Sequence, residues 1–354
     1  MKPTDIAQPD YFHRVVDCQW ACPAHTPVPE YIRLIAQGRY DDAYLVNWKS
    51  NVFPGILGRT CDRPCEPACR RGRVEAGSPE HRKANAPPEA VAICRLKRSA
   101  ADFKGDIRSR LPSPASHPNG KRIALVGAGP ASLTVARDLA PLGYHCVVFD
   151  SDPKAGGMMR TQIPKFRLPD RVIDEECGYV LDLGVEFRGG TRIDSMAALL
   201  EGGYDAVFVG SGAPRARDLD VPGRQEAAAH IHLGIDWLSS VSFGHTTSIG
   251  KRVVVLGGGN TAMDCCRSAR RLGGEEVHVV VRSGFEEMKA SPWEKEDAMH
   301  EGIPIHNFLV PTRFLHEGAK LTGIAFEKVR AQRDAKGRRE LIPTGEPAVA
   351  FACD

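Results

Sequence analysis

No stretch of this 354-residue chain is apolar for long enough to span a bilayer, and the opening MKPTDIAQPDYFHRV lacks the apolar core of a signal peptide. Neither sign of charge dominates. The 47 Lys and Arg against 44 Asp and Glu leave a formal +3, too little to draw the chain to nucleic acid or a membrane surface. The expected location is the cytoplasm, with neither nucleic acid nor membrane as partner. No C-x-x-C pair occurs, which removes the usual signature of dithiol redox chemistry. Cys265-Cys266 are adjacent, but they fall mid-helix after GGGNTAMD, where packing is the expected role. His230 and His232 have no companions at metal-ligand spacing and read as structural.

What the chain does have is a crowd of cysteines at one end. Of eleven, Cys18, Cys22, Cys61, Cys65, Cys69 and Cys94 lie in the first 94 residues. In a reducing compartment such short spacings suggest metal rather than disulfides. Residues 1–98 carry helical patterns such as VPEYIRLIAQGRYDDAYLVNW. Residues 99–120 include KGDIRSRLPSPASHPNG, a linker by composition. From Lys121 the short runs IALVGAG, HCVVFD, DAVFVGSG, VVVLGGG and VHVVV alternate with helical stretches. That pattern predicts a parallel sheet covered on both faces.

The chain also contains one device twice. KRIALVGAGPASLTVARDLAPLGYHCVVFD (121–150) and KRVVVLGGGNTAMDCCRSARRLGGEEVHVVVR (251–282) align at Lys121/Lys251, Gly127/Gly257, Gly129/Gly259, Arg137/Arg267 and Gly143/Gly273. Each reads as a strand, a glycine turn, a helix and a second strand. The first glycine permits the tight turn, the second lets a pyrophosphate approach the backbone, and the helix start favours the phosphates. Ser132 and Ala262 take the third small position. Asp150 ends the first unit's second strand, where a carboxylate can accept from a ribose 2′-OH. In the second unit that position is Arg282, a cation suited to a 2′-phosphate.

The stretches CDRPCEPACRRGRV, VAICRLKR, GAGPAS, GGMMRTQIPKFRLP, GSGAPRARDLDVPG, GGGNTAMD and RSGFEEMKA together resemble the small (β) subunit of glutamate synthase. They are similar as well to the N-terminal half of dihydropyrimidine dehydrogenase. The resemblance implies FAD in the first site and NAD(P)H in the second, with hydride passing to the flavin and single electrons onward through 4Fe-4S clusters. It assigns Gly127, Gly129, Pro130, Ala131, Ser132, Asp150, Gly157, Met159, Ile163 and Gly212 to FAD, and Gly257, Gly259, Asn260, Thr261, Arg282 and Ser283 to NAD(P)H. It also implies Cys22, Cys61 and Cys65 as ligands of one cluster, and Cys18 and Cys69 as members of another.

Three departures shape the expectations. The family's leading motif C-x2-C-x4-C-x3-C-P is reduced here to Cys18-x3-Cys22-Pro23, so one cluster is expected. Its preferred ligands are Cys22, Cys61, Cys65 and Cys94, with Cys18 and Cys69 as substitutes. The family's second arginine after the coenzyme strand is Ser283, and a later basic position is Phe285, so dual coenzyme use leaning to NADH is expected. The sequence ends at AVAFACD, where the family continues, and reads as part of a longer subunit.

The fold class expected is α/β: a helical iron–sulfur head (1–98), a linker (99–120), a FAD-binding domain (121–223) and a Rossmann-like NAD(P)H-binding domain (224–354) inserted in it. The function expected is a FAD-dependent NAD(P)H oxidoreductase subunit serving a partner subunit or a ferredoxin-like carrier. No residue reads as a catalytic acid or nucleophile. Two alternatives stand beside it, a flavin-dependent disulfide reductase and a non-catalytic assembly subunit with a zinc-bound head.

Overall fold

Strands β1 (Arg122–Val126) and β2 (His145–Phe149) have nearly every side chain buried, as a sheet covered on both faces demands. In the computed structural model, which describes residues 16–74, 89–216, 218–333 and 338–354, they centre a parallel sheet. Its other strands are β3 (Glu186–Arg188) and β4 (Ala206–Val209), in the order β3-β2-β1-β4. Ala124, Leu125, Val147 and Val148 are fully buried within it.

Among the described residues, the α-helices before this sheet are α1 (Asp17–Ala21), α2 (Val28–Ala36), α3 (Tyr40–Asn51), α4 (Pro54–Thr60), α5 (Arg70–Val74) and α6 (Ile93–Phe103). Val28, Tyr31 and Leu34 recur at helical spacing on α2, and with Ala43, Ile93 and Ala100 they form a small core that includes Cys65 and Cys69. Helix α6 runs through residue 98, where the sequence suggested a border. Between and after its strands come α7 (Pro130–Leu139), α8 (Met158–Thr161), α9 (Asp170–Leu181) and α10 (Met196–Glu201).

Contacts divide the chain into two compact units, residues 1–159 with 165–212, and residues 160–164 with 213–354. The head thus belongs to the same unit as the first glycine turn. Two polar ties hold it there. Glu176 of α9 accepts the Gly55 and Ile56 N–H groups at 2.6 and 2.9 Å and the Tyr44 hydroxyl at 2.7 Å. Arg137 of α7 donates to the Trp48 carbonyl at 2.7 Å and stacks over the Trp48 ring, satisfying the C-terminal end of α3.

The second unit holds α11 (Gly234–Ser242) and a three-stranded parallel sheet, β5 (Arg252–Leu256), β6 (Glu276–Val280) and β7 (Ile305–His306), with α12 (Asn260–Arg271) and α13 (Pro292–His300). An antiparallel sheet follows. Its long strand β9 (Lys320–Arg333) pairs with β8 (Leu309–Glu317), β10 (Arg339–Pro343) and β11 (Val349–Ala352). Arg267, in register with Arg137, meets three carboxylates, Glu294, Asp297 and Glu301, at 2.9, 3.1 and 3.0 Å.

Candidate functional site

Each glycine turn leads from a strand into the start of a helix. Gly127 and Gly257 have positive φ, +96° and +137°, and a Cβ on Gly127 would stand 2.6 Å from the Gly210 carbonyl oxygen. Gly129 and Gly259 are the N-caps of α7 and α12. A Cβ on either would meet nothing within 4 Å, so the space in front of both helix starts is open to a phosphate. Pro130, Ala131 and Thr261 are exposed in the first turns of these helices. The residues present therefore fit a dinucleotide at each turn.

Around the first turn, the Asp150 carboxylate accepts the Ala128 N–H at 2.5 Å and the Asp152 N–H at 2.9 Å. It closes the loop, and each oxygen keeps a lone pair for a ribose hydroxyl. Gly157 (φ +50°) lies so near Gly129 that a Cβ would stand 2.8 Å from its Cα. Met159 is buried, Ile163 half-buried and Gly212 exposed.

Ser132 has a partner the sequence did not show. It is fully buried and its hydroxyl has no hydrogen-bond partner. A Cβ on Gly210 would lie 2.2 Å from its Oγ. The bulk added at the third small position of the turn is thus accommodated by a glycine on the neighbouring strand end. Gly210→Ala should lower stability by about 1–3 kcal/mol. Ser132→Ala, which removes an unpartnered buried hydroxyl, should be neutral or stabilising and should rescue most of that loss. Thermal unfolding of the single and double variants checks this. An equal cost of Gly210→Ala in both backgrounds would show that the hydroxyl is not what it strikes.

Around the second turn, Asn260 Oδ1 accepts the Ser291 N–H at 2.8 Å and so holds the loop before α13. Arg282 is exposed and, among the described residues, has neither ion-pair nor hydrogen-bond partner. Ser283 is half-buried, and its carbonyl accepts from Asn307. Arg270 and Arg271 do not stand near the glycine turn; they close the opposite end of α12. Arg270 donates to the carbonyls of Gly274 and Glu275, and Arg271 pairs with Glu301 at 2.6 Å.

The head gathers the six cysteines from four elements. Cys18 lies in α1 and Cys22 caps its end; Cys61 caps α4, and Cys94 is in the first turn of α6. Cys65 and Cys69 lie between α4 and α5. The Cys94 thiol faces Cys61, whose thiol that hydrogen bond lowers to about 6, while Cys94 is pushed up by the same contact. Burial pushes Cys65 up to about 12, and the neighbouring sulfurs of Cys61 and Cys22 add to it. Cys18 is raised mainly by burial and also feels Cys69. Cys61 thus faces Cys94, Cys65 feels the sulfurs of Cys61 and Cys22, and Cys18 feels Cys69. Four thiolates are the number and kind that a 4Fe-4S cluster requires. Among the described residues no group of three or more His, Cys, Asp or Glu is arranged to hold a single metal ion.

Cys265 and Cys266 are buried in α12, and burial raises both thiols, Cys266 to about 12. They are packed, inert thiols rather than a redox pair. Among the described residues no helix is long and apolar enough to cross a membrane.

Residues 121–335 match the family model described as pyridine nucleotide-disulphide oxidoreductase. Residues 13–108 match the one described as dihydropyrimidine dehydrogenase domain II, 4Fe-4S cluster. The chain is 34% identical over 363 residues to the NADPH-Fe(3+) oxidoreductase subunit beta of Geobacter sulfurreducens, covering 99% of this chain and 52% of that protein. It is 32% identical over 351 residues to the small chain of glutamate synthase (NADPH) of Escherichia coli K12, covering 94% and 71%. It thus spans about half the length of the first of these relatives. The fold is that of FprA from Mycobacterium tuberculosis, solved in complex with NADPH: TM-score 0.54 at 19% identity, over 67% of this chain and 69% of that one. The chain belongs to the pyridine nucleotide-disulphide oxidoreductase family, in a group that joins to it the iron–sulfur domain of dihydropyrimidine dehydrogenase and includes a glutamate synthase small chain.

Proposed function

We propose that this chain is a cytoplasmic electron-transfer subunit that oxidises NADPH and delivers single electrons to a partner oxidoreductase subunit or a ferredoxin-like carrier. When bound, FAD at the first turn and the coenzyme at the second would supply hydride chemistry, and a 4Fe-4S cluster in the head would supply one-electron transfer. The protein's part is to hold and orient. Gly129 and Gly259 leave room for the two pyrophosphates, Asp150 holds the flavin-side ribose, and Cys22, Cys61, Cys65 and Cys94 hold iron. The observation that carries the reading is that the cysteine-rich head and the first open glycine turn belong to one unit, tied through Glu176 and Arg137.

By sequence, Ser283 in place of a second arginine predicts dual coenzyme use leaning slightly to NADH. The Arg282 guanidinium, without a partner among the described residues, together with the NADPH in the names of the relatives, favours NADPH instead. Anaerobically purified protein should show flavin bands over broad iron–sulfur absorption, and should contain about four irons and four sulfides per chain. Zinc in place of iron would point to the scaffold alternative, and about eight irons would restore a second cluster.

A further inference from the structure

Beside Cys22 lies a buried polar network that neither dinucleotide site uses. Thr26 is 1% exposed, Asn47 0% and Asn51 8%. Their orientations follow from one another. Asn47 Nδ2 donates to the Ala43 carbonyl at 2.8 Å, so Asn47 Oδ1 must accept, and it faces Asn51 Nδ2 at 3.3 Å. That same Asn51 amide nitrogen donates to Thr26 Oγ1 at 3.3 Å. Ser50 Oγ lies 3.1 Å from both Thr26 Oγ1 and the Asn47 carbonyl, which can only accept. Cys22 Sγ lies 3.5 Å from Thr26 Oγ1.

With its oxygen receiving from Asn51, the Thr26 hydroxyl has one proton to give and two acceptors in reach, Ser50 Oγ and Cys22 Sγ. A protonated Cys22 donates to Thr26. A Cys22 bound to iron is a thiolate with no proton and becomes the stronger, charged acceptor.

We propose that Thr26, fixed by Asn51 and Asn47, donates a hydrogen bond to the Cys22 sulfur and raises the reduction potential of the head cluster. This rests on the reading that Cys22 holds iron. A hydrogen bond to a ligand sulfur favours the more negative, reduced cluster, so its loss lowers the potential. Thr26 is a positioning and tuning residue: it touches a ligand, not the reacting atoms.

The test is potentiometry monitored by electron paramagnetic resonance on the cluster-loaded chain. Thr26→Val keeps the shape and removes the hydroxyl, and its midpoint potential should fall. Thr26→Ser keeps the hydroxyl and should hold the wild-type value. Ser50→Ala removes the competing acceptor, so its potential should equal or exceed wild type. An unchanged potential in Thr26→Val at equal iron content overturns the proposal. Should Thr26→Val fail to retain iron, the Ser50→Ala arm decides: a potential below wild type overturns it, and an equal or higher one supports it. A wild-type chain that holds no iron removes both this proposal and the cluster reading beneath it.

Discussion

Replacing Arg282 with alanine should reduce kcat/KM for NADPH roughly ten- to a hundredfold, the range set by one charge-assisted hydrogen bond, and leave kcat/KM for NADH nearly unchanged. The residue stands just past the end of β6, exposed and without a partner among the described residues. Arg270 and Arg271 are engaged at the far end of α12, with carbonyls and Glu301. One cation is therefore asked to grip the 2′-phosphate. Ser283→Arg, which supplies a second, should sharpen the preference for NADPH. Steady-state kinetics with both coenzymes reads these effects. Equal losses for NADPH and NADH in Arg282→Ala would show that the residue serves the fold rather than the phosphate.

The largest stability effect is expected at Glu176. Its carboxylate is the acceptor for two backbone N–H groups of α4 and for the Tyr44 hydroxyl, all in a site where the residue is 1% exposed. Glu176→Ala leaves three buried donors without a partner, at about 1–3 kcal/mol each, so a loss above about 3 kcal/mol is expected. Because α4 leads directly to Cys61, iron retention should weaken with it.

The same residue gives a pH dependence of defined sign. Burial pushes the Glu176 carboxyl up to about 7, against the lowering effect of its three donors. An unfolded glutamate titrates near 4.3, so between about pH 4.3 and 7 the folded chain holds a proton that the unfolded chain has released. The stability contributed by this protonated group is complete below that window and is lost as pH rises through about 7. Glu176→Gln, which cannot titrate, should lack this part of the slope. Its neighbour Glu175 is bonded to Lys104 and Tyr179 at 2.6 and 2.8 Å and remains in both proteins as an internal reference. Denaturant unfolding across the window makes the comparison. Identical slopes in wild type and Glu176→Gln would remove the assignment.

Local chemistry determined a good part of this protein. The glycine turns, the helices they open, the short buried strands and the crowded cysteines are all written in contiguous residues, because turn sterics and strand burial act over a few positions. From them the α/β class, the doubled nucleotide-binding unit and the family could be read. Tertiary structure alone decided the rest. Gly55 and Glu176 are 121 residues apart, and no periodicity brings them together. Arg137 and Arg267 occupy one register in the repeat, yet Arg137 reaches the carbonyls at the end of α3 as well as Asp138, while Arg267 meets Glu294, Asp297 and Glu301, because a long side chain takes whatever its neighbours offer. The antiparallel sheet after residue 308 carries mixed burial along β9, which hides its alternation from a pattern search. In the sequence Ser132 is simply a small residue at the third position of the turn; only the fold sets Gly210 against it, since close packing is a property of two surfaces and a sequence displays only one at a time.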